Sequence, residues 1–255
     1  MPKSIICDMD GVIYRGHQLI PGADRFVERL RSGGHRFLFL TNNSRHTPRD
    51  LKRKLDQLGI DVPEDHFYTS GMATASFLQR QKPHGSAFVI GDAGLTNALY
   101  EVGYSITEHS PDYVVIGETS SYNFDLVVKA VRAIERGARF IATNPDLVGP
   151  TEGGNVPACG SLTAPIERAL GIRPYYVGKP NALMMRMALR AIGDHSENTV
   201  MVGDRMDTDI VAGMEAGLKT CLVLTGVTSL DMLPQFPYRP DLIVDSVADI
   251  DPSEL

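Results

Sequence analysis

The chain has 255 residues, of which 43 % are hydrophobic and 22 % charged, with a net charge of −6. That gives room for one large domain or two modest ones. The acidic balance, with no block of Lys and Arg, argues against nucleic acid or an anionic membrane surface as the main partner.

In chain order, residues 4–7 read as a buried strand, followed by the acidic stretch Asp8-Met9-Asp10-Gly11. Ala23, Phe26, Val27 and Leu30 recur at i, i+3, i+4, i+7, the stripe of an amphipathic helix, which Gly33-Gly34 ends. Residues 36–40 form a second strand. Thr47-Pro48-Arg49-Asp50 is a capping signal, with Thr47 as N-cap, Pro48 at the first helical position and Asp50 at N3. Another helix is expected over 70–78. Strands then follow at 87–90, 113–116 and 139–142, with helices at 94–100, 124–134 and 161–170. The last third reads as helix 182–192, strand 199–202, helix 209–216, and strands 220–224 and 242–244. Strands separated by helices of this length imply parallel sheets covered on both faces, a doubly wound α/β fold.

The polar stretch Gln79-Arg80-Gln81-Lys82-Pro83-His84-Gly85 suits a linker, and Gly171-Ile172-Arg173-Pro174 suits the return crossing. The expected division is a catalytic core of 1–81 and 178–255, with 82–177 inserted as a smaller α/β domain. Three widely separated cysteines (Cys7, Cys159, Cys221), without a CxxC, argue against a disulfide framework and for a reducing cytoplasm. The opening apolar run is too short for a signal peptide, and nothing approaches the roughly 18 apolar residues of a membrane span. Seven scattered histidines without an HExxH spacing give a zinc site little support.

Four short stretches each sit just past an apolar strand or at a helix start: Asp8-Met9-Asp10-Gly11, Leu40-Thr41-Asn42-Asn43-Ser44, Gly178-Lys179-Pro180, and Gly203-Asp204-Arg205-Met206-Asp207-Thr208-Asp209. In open parallel sheets such tips converge at the carboxyl ends of the strands, where ligands bind. Singly, each is ordinary turn or cap chemistry. Together, in this order, they supply several carboxylates, a hydroxyl, an amide and an ammonium.

These stretches resemble the signature set of the haloacid dehalogenase-like hydrolase superfamily, most of whose members are magnesium-dependent phosphatases. The resemblance is closer to the NagD-like branch and extends through FYTSGMATASFL, VIGETSSYN, PACGSLTAPIE and LVLTGVTSLD. LTNNSRHT looks more like the related p-nitrophenyl-phosphatase and phosphoglycolate-phosphatase members. The resemblance implies an aspartyl-phosphate formed on Asp8, which splits one hard displacement into two easier ones. It implies Mg²⁺ held by a carboxylate oxygen of Asp8, the backbone carbonyl of Asp10 and a carboxylate oxygen of Asp204, with Asp209 behind them orienting waters or Lys179. Asp10 would protonate the leaving alkoxide and then deprotonate the attacking water. Thr41, Asn42, Asn43 and Lys179 would face the phosphate, with dipolar support from the amides of Arg205, Met206, Asp207 and Thr208.

Only about 30 residues separate Asp10 from Thr41, too few for a large insert, whereas 137 lie between Thr41 and Lys179. In the family such an insert is a cap over the phosphate site, and residues 144–159 are expected to touch the leaving group. The expected partner is a small phosphorylated metabolite, not a nucleic acid polymer or a membrane, with a homo-oligomer through the cap left open. Nucleoside 5′-monophosphates such as UMP come first among substrates, then sugar phosphates and phosphoglycolate. A phosphomutase and a non-catalytic phosphate sensor are the rivals; the short first gap and the intact acidic set disfavour them. Gly91-Asp92-Ala93-Gly94 reads as a plain turn, and Ser161 lacks the frame of a nucleophile.

Overall fold

A computed structural model of the chain describes residues 3–151 and 153–255. The chain divides into two compact units. The first comprises the chain up to Thr41, Leu51–Tyr68 and Lys179–Leu255; the second comprises Asn42–Asp50 and Thr69–Gly178.

The first unit is built on a six-stranded sheet in the order Leu242–Val244, Lys219–Val223, Thr199–Gly203, Ser4–Cys7, Phe37–Thr41, Phe67–Thr69. Ser4 pairs with Thr199 on one side and Ile5 with Phe37 on the other, both in parallel. Ser4–Cys7 and Thr199–Gly203 are buried at every position, so both faces of the sheet centre are covered. That is why these strands read as unbroken apolar runs rather than alternating ones. Ile5, Cys7 and Phe39 pack with Phe26, Val27 and Leu30 of the helix Ala23–Ser32, the stripe visible in the sequence. Strand order reverses at Ser4–Cys7, so the crevice at its carboxyl end is the switch point of the sheet.

The second unit holds a five-stranded sheet ordered Tyr175–Tyr176, Arg139–Ala142, Tyr113–Ile116, Ser86–Ile90, Ser105–Ile106. Its neighbouring strands pair in parallel. The helices Phe124–Glu135 and Cys159–Leu170 pack Ala130, Ala133 and Ile166 against Val114, Ile116 and Phe140.

The capping signal is realised in full. Thr47 N–H donates to Asp50 at 2.9 Å and Asp50 N–H to the Thr47 hydroxyl at 3.2 Å. Two antiparallel ribbons, Tyr14–Arg15 with Gln18–Leu19 and Val148–Thr151 with Gly154–Pro157, had no periodic signal to announce them. The division between units falls earlier than the linker composition suggests. The helix Ser70–Gln81 packs on Ala93–Glu101, where a Cβ on Gly71 would lie 3.3 Å from the Leu95 Cα, so it belongs to the second unit. The expected helix 209–216 is also modified. Met206–Ile210 forms a π-helical turn before the α-helix Val211–Glu215, with Ile210 N–H reaching back to the Arg205 carbonyl. No helix among the described residues is long and apolar enough to cross a membrane.

Candidate active site

Asp8 follows the central strand directly, and its amide donates to the Val202 carbonyl at 2.9 Å, so the sheet register fixes its position. Lys179 is 2 % exposed and extends its ammonium between two carboxylates. Its Nζ donates to Asp8 Oδ1 at 2.8 Å and to Asp209 Oδ1 at 2.6 Å, with the Leu40 carbonyl at 3.2 Å. Asp209 Oδ2 accepts from the Arg205 amide at 3.1 Å. Asp209 lies within the π-helical turn Met206–Ile210.

Asp204, at the tip of the next strand, places one carboxylate oxygen on the Val227 amide at 2.7 Å. Its other oxygen, Oδ1, is buried and reaches no hydrogen-bond partner among the described residues. Such an acceptor is costly unless something positive meets it. Asp8, Asp204 and Asp209 each present an oxygen within 4.8 Å of the others. One ammonium serves three buried carboxylates, so two negative charges stand uncompensated when all are ionised.

The electrostatics follow from that imbalance. Burial pushes the Asp8 carboxyl up to about 7, with Asp209 adding to the rise and Lys179 and the Met9 amide opposing it. Burial, then the charges of Asp209 and Asp8, carries Asp204 well above the carboxylate range. Burial alone would lower Lys179, but Asp209 and Asp8 outweigh it and hold the ammonium protonated.

Asp10 does not join the cluster through its side chain. It is exposed and forms a bridge with Tyr14. Crowding around its carboxyl raises its pKa against the nearby charges of Lys54 and Arg15. Thr41 is buried at the end of its strand. Asn42 and Asn43 belong to the second unit. There the Asn42 amide donates to Asp146 at 2.8 Å, while the Asn43 side-chain oxygen accepts from the Arg45 and His46 amides, both at 3.0 Å.

The expectation for the amides of Arg205 and Met206 needs correcting. The first donates to Asp209, and the second donates to the Thr228 hydroxyl at 3.1 Å. The Met206 side chain packs with Ile210, Leu222 and Leu233, and the Arg205 guanidinium is spent on Asp207 at 2.8 Å. Thr208 is buried, and Asp207 is held below the usual carboxylate range by Arg205 despite partial burial.

The stretch LVLTGVTSLD, which carries none of the site residues expected from the sequence, cradles Asp204. Thr228 N–H donates to the Asp204 carbonyl at 3.1 Å, and a Cβ on Gly226 would overlap the Asp204 carboxylate. Gly11, at φ +82°, lies beside it, where a Cβ would come within 2.6 Å of Asp204 Oδ2. The available signal was a glycine just past the strand Lys219–Val223, in the same position as the other tips. Glu152, inside the stretch expected to touch the leaving group, lies outside the described residues.

A family profile described as haloacid dehalogenase-like hydrolase matches residues 5–105, and one described as HAD-hydrolase-like matches 176–250. A dihydroxyacetone phosphatase from Corynebacterium glutamicum is 49 % identical over 97 % of this chain and 90 % of that protein. The ribonucleotide monophosphatase NagD of Escherichia coli K12 is 48 % identical over 98 % of both. The chain belongs to the haloacid dehalogenase-like hydrolases.

Among solved structures, NagD from E. coli K-12 superposes on this hydrolase with a TM-score of 0.94 at 47 % identity, covering 99 % of both chains. A p-nitrophenyl phosphatase from Archaeoglobus fulgidus gives 0.91 at 37 % identity, covering 97 % of both. In this hydrolase the family's first profile ends within the second unit and its second begins just before Lys179, so the acidic cluster draws on both matched regions.

Proposed function

We propose that the chain is a phosphomonoesterase that acts on small phosphorylated metabolites through an aspartyl-phosphate on Asp8. The observation that carries this reading is the buried Asp8–Lys179–Asp209 bridge beside the unpartnered Asp204 oxygen. The donor set suits a hard divalent cation such as Mg²⁺, since it offers carboxylate oxygens and has an excess of two negative charges. Asp8, Asp204 and the Asp10 carbonyl would hold the ion, with Asp209 behind them. When bound, Mg²⁺ supplies charge neutralisation between an anionic nucleophile and an anionic phosphate.

The chain's own residues then divide the work. An Asp8 oxygen forms a bond to phosphorus as the bond to the leaving oxygen breaks. Lys179 holds Asp8 in position and keeps a fixed positive charge beside the developing charge on the phosphoryl oxygens. Asp10 enters the first step as the carboxylic acid and gives its proton to the leaving alkoxide. As a carboxylate it takes a proton from the water that attacks the aspartyl-phosphate, releasing inorganic phosphate and restoring Asp8. Burial raises the Asp10 pKa against Lys54 and Arg15, the direction that suits a group that gives up a proton in the first step. Thr41 offers its hydroxyl to the phosphate. Asp209 fixes the Lys179 ammonium, so its contribution runs through that residue.

For substrate, nucleoside 5′-monophosphates such as UMP come first, supported by the NagD likeness; triose and sugar phosphates follow from relatives named for them. Two relatives of nearly equal identity carry different substrate names, so identity to a relative does not by itself fix the substrate. A cytoplasmic setting fits the free, buried cysteines. The test is phosphate release from a panel of nucleotides, sugar phosphates and p-nitrophenyl phosphate with and without Mg²⁺. Release from none of them would overturn the proposal.

A further inference from the structure

Two loops of the first unit carry the oxygens assigned above to a metal, and a third segment joins them. The first loop follows the strand Ser4–Cys7 and supplies Asp8 and the Asp10 carbonyl; the second follows Thr199–Gly203 and supplies Asp204. The joining segment is residues 225–228, just past the strand Lys219–Val223.

The far end of this segment grips the second loop. The Val227 amide meets the Asp204 carboxylate, the Thr228 amide meets the Asp204 carbonyl, and the Thr228 hydroxyl accepts from the Met206 amide. None of these bonds reaches the first loop. Thr225 does, because its hydroxyl donates to the Gly11 carbonyl at 2.6 Å. Arg15, on the strand Tyr14–Arg15 that follows the first loop, donates in return. Its Nη2 reaches the Thr225 carbonyl and, at 3.3 Å, the Gly226 carbonyl.

Gly11 is where the connection bears on a ligand. Its amide donates to the Tyr14 carbonyl at 2.8 Å. Across a trans peptide the N–H and C=O point in opposite directions, so this bond also sets the direction of the Asp10 carbonyl. With the Thr225 hydroxyl on the Gly11 carbonyl, the peptide units on both sides of the Gly11 Cα are held. Glycine at φ +82° has backbone freedom that other residues lack, and these two bonds restrict it. Gly11 and Gly226 both come against Asp204 where a Cβ would overlap its carboxylate. At these positions hydrogen bonds, not packed side chains, set the spacing of the loops.

We propose that Thr225 is a positioning residue for the metal: its hydroxyl, braced by Arg15, ties the Asp10 carbonyl to the segment that holds the Asp204 carboxylate. The proposal rests on the reading of Asp10 and Asp204 as ligands. Mg²⁺ demands near-octahedral geometry at about 2.0–2.1 Å, whereas Ca²⁺ accepts flexible arrangements at about 2.3–2.6 Å. A loosened tie therefore penalises Mg²⁺ more than Ca²⁺, which a general loss of stability would not do.

Scanning calorimetry of the full chain without substrate, across titrations of MgCl₂ and of CaCl₂, tests this through the melting shift. Thr225→Val keeps the shape of the side chain and removes the hydroxyl; Thr225→Ser restores it. Thr225→Val is expected to lose Mg²⁺ affinity at least about tenfold, as is usual when a residue that orients a ligand is removed. Its Ca²⁺ affinity should fall less, and Thr225→Ser should bind both ions as the wild type does. Arg15→Met should show the same selective loss of Mg²⁺; wild-type affinity there removes Arg15 from the proposal. Thr225→Val binding Mg²⁺ like the wild type, losing both ions equally, or being matched in weakness by Thr225→Ser overturns the role of Thr225. A wild type that shows no Mg²⁺ shift is a separate failure, which removes the metal reading and the role of Thr225 with it.

Discussion

Replacing Lys179 by methionine keeps the length and apolar stem of the side chain and removes only its charge. In the wild type the ammonium is bonded to two carboxylates that are themselves almost fully buried. Breaking a buried ion pair by deleting one partner costs about 3–5 kcal/mol, because the remaining charge is left without compensation. Here one deletion strands two carboxylates beside a third, so the upper half of that range applies at pH 7.5. With a urea m-value of about 3 kcal/mol/M, the midpoint should fall by about 1.3–1.7 M. The defect must also shrink in acid. Burial already raises Asp8 above its unfolded value, to about 7, so the native state holds that proton more tightly. Stability therefore falls as pH rises through this window, and more steeply once Lys179 is gone. Urea unfolding in EDTA at pH 7.5 and pH 5 measures both effects. A variant within about 0.5 kcal/mol of wild type at pH 7.5, or one more damaged at pH 5, would refute the reasoning.

Three further outcomes follow from the same geometry. Asp204→Asn removes a buried charge that has no cationic partner of its own, so the metal-free protein should melt no lower than wild type. The same variant should lose the stabilisation that Mg²⁺ gives the wild type, about 2.7 kcal/mol at a hundred times Kd; a retained shift on calorimetry would exclude Asp204 as a ligand. Gly226→Ala pushes a methyl group into the Asp204 carboxylate and should reduce Mg²⁺ affinity at least tenfold, read by the same melting shift across a metal titration. Glu118 in the second unit is pushed by burial to about 7, so its native carboxyl holds a proton through the window from 4.5 to 7 and that contribution is lost as pH rises. Its partial exposure reduces the effect, and Glu118→Gln should gain about 1–2 kcal/mol at pH 8 and little at pH 5. A gain equal at both pH values would contradict the assignment.

How much could be read from the chain alone depended on whether the physics was local. The stripe Ala23, Phe26, Val27, Leu30 and the box Thr47–Asp50 are short-range patterns, and the structure shows both. The central strands were legible because burial on both faces removes polar positions from them. The tips at Asp8, Lys179, Asp204 and Asp209 were legible as a set because each follows a strand or opens a helix. What escaped is what depends on distant packing. Gly226 and Val227 matter because they come against Asp204; a glycine just past a strand marks a tip but does not say which carboxylate it meets. The boundary was misplaced because Ser70–Gln81 docks through small residues, Gly71 meeting Gly94 and Leu95, which leave no apolar stripe. Edge strands of two residues, Ser105–Ile106 and Tyr175–Tyr176, carry too little sequence to show a period. The amides of Arg205 and Met206 looked available on helix-start logic, but a π-helical turn redirects the first to Asp209, and Thr228 claims the second.

The central claim is that Asp8 is the nucleophile of a metal-dependent phosphomonoesterase. Phosphate release from p-nitrophenyl phosphate, followed with and without Mg²⁺ in wild type and Asp8→Asn, tests it most directly. The account predicts turnover by the wild type that EDTA abolishes, and a loss of at least about a thousandfold in Asp8→Asn with the fold intact. Full activity in Asp8→Asn would contradict it.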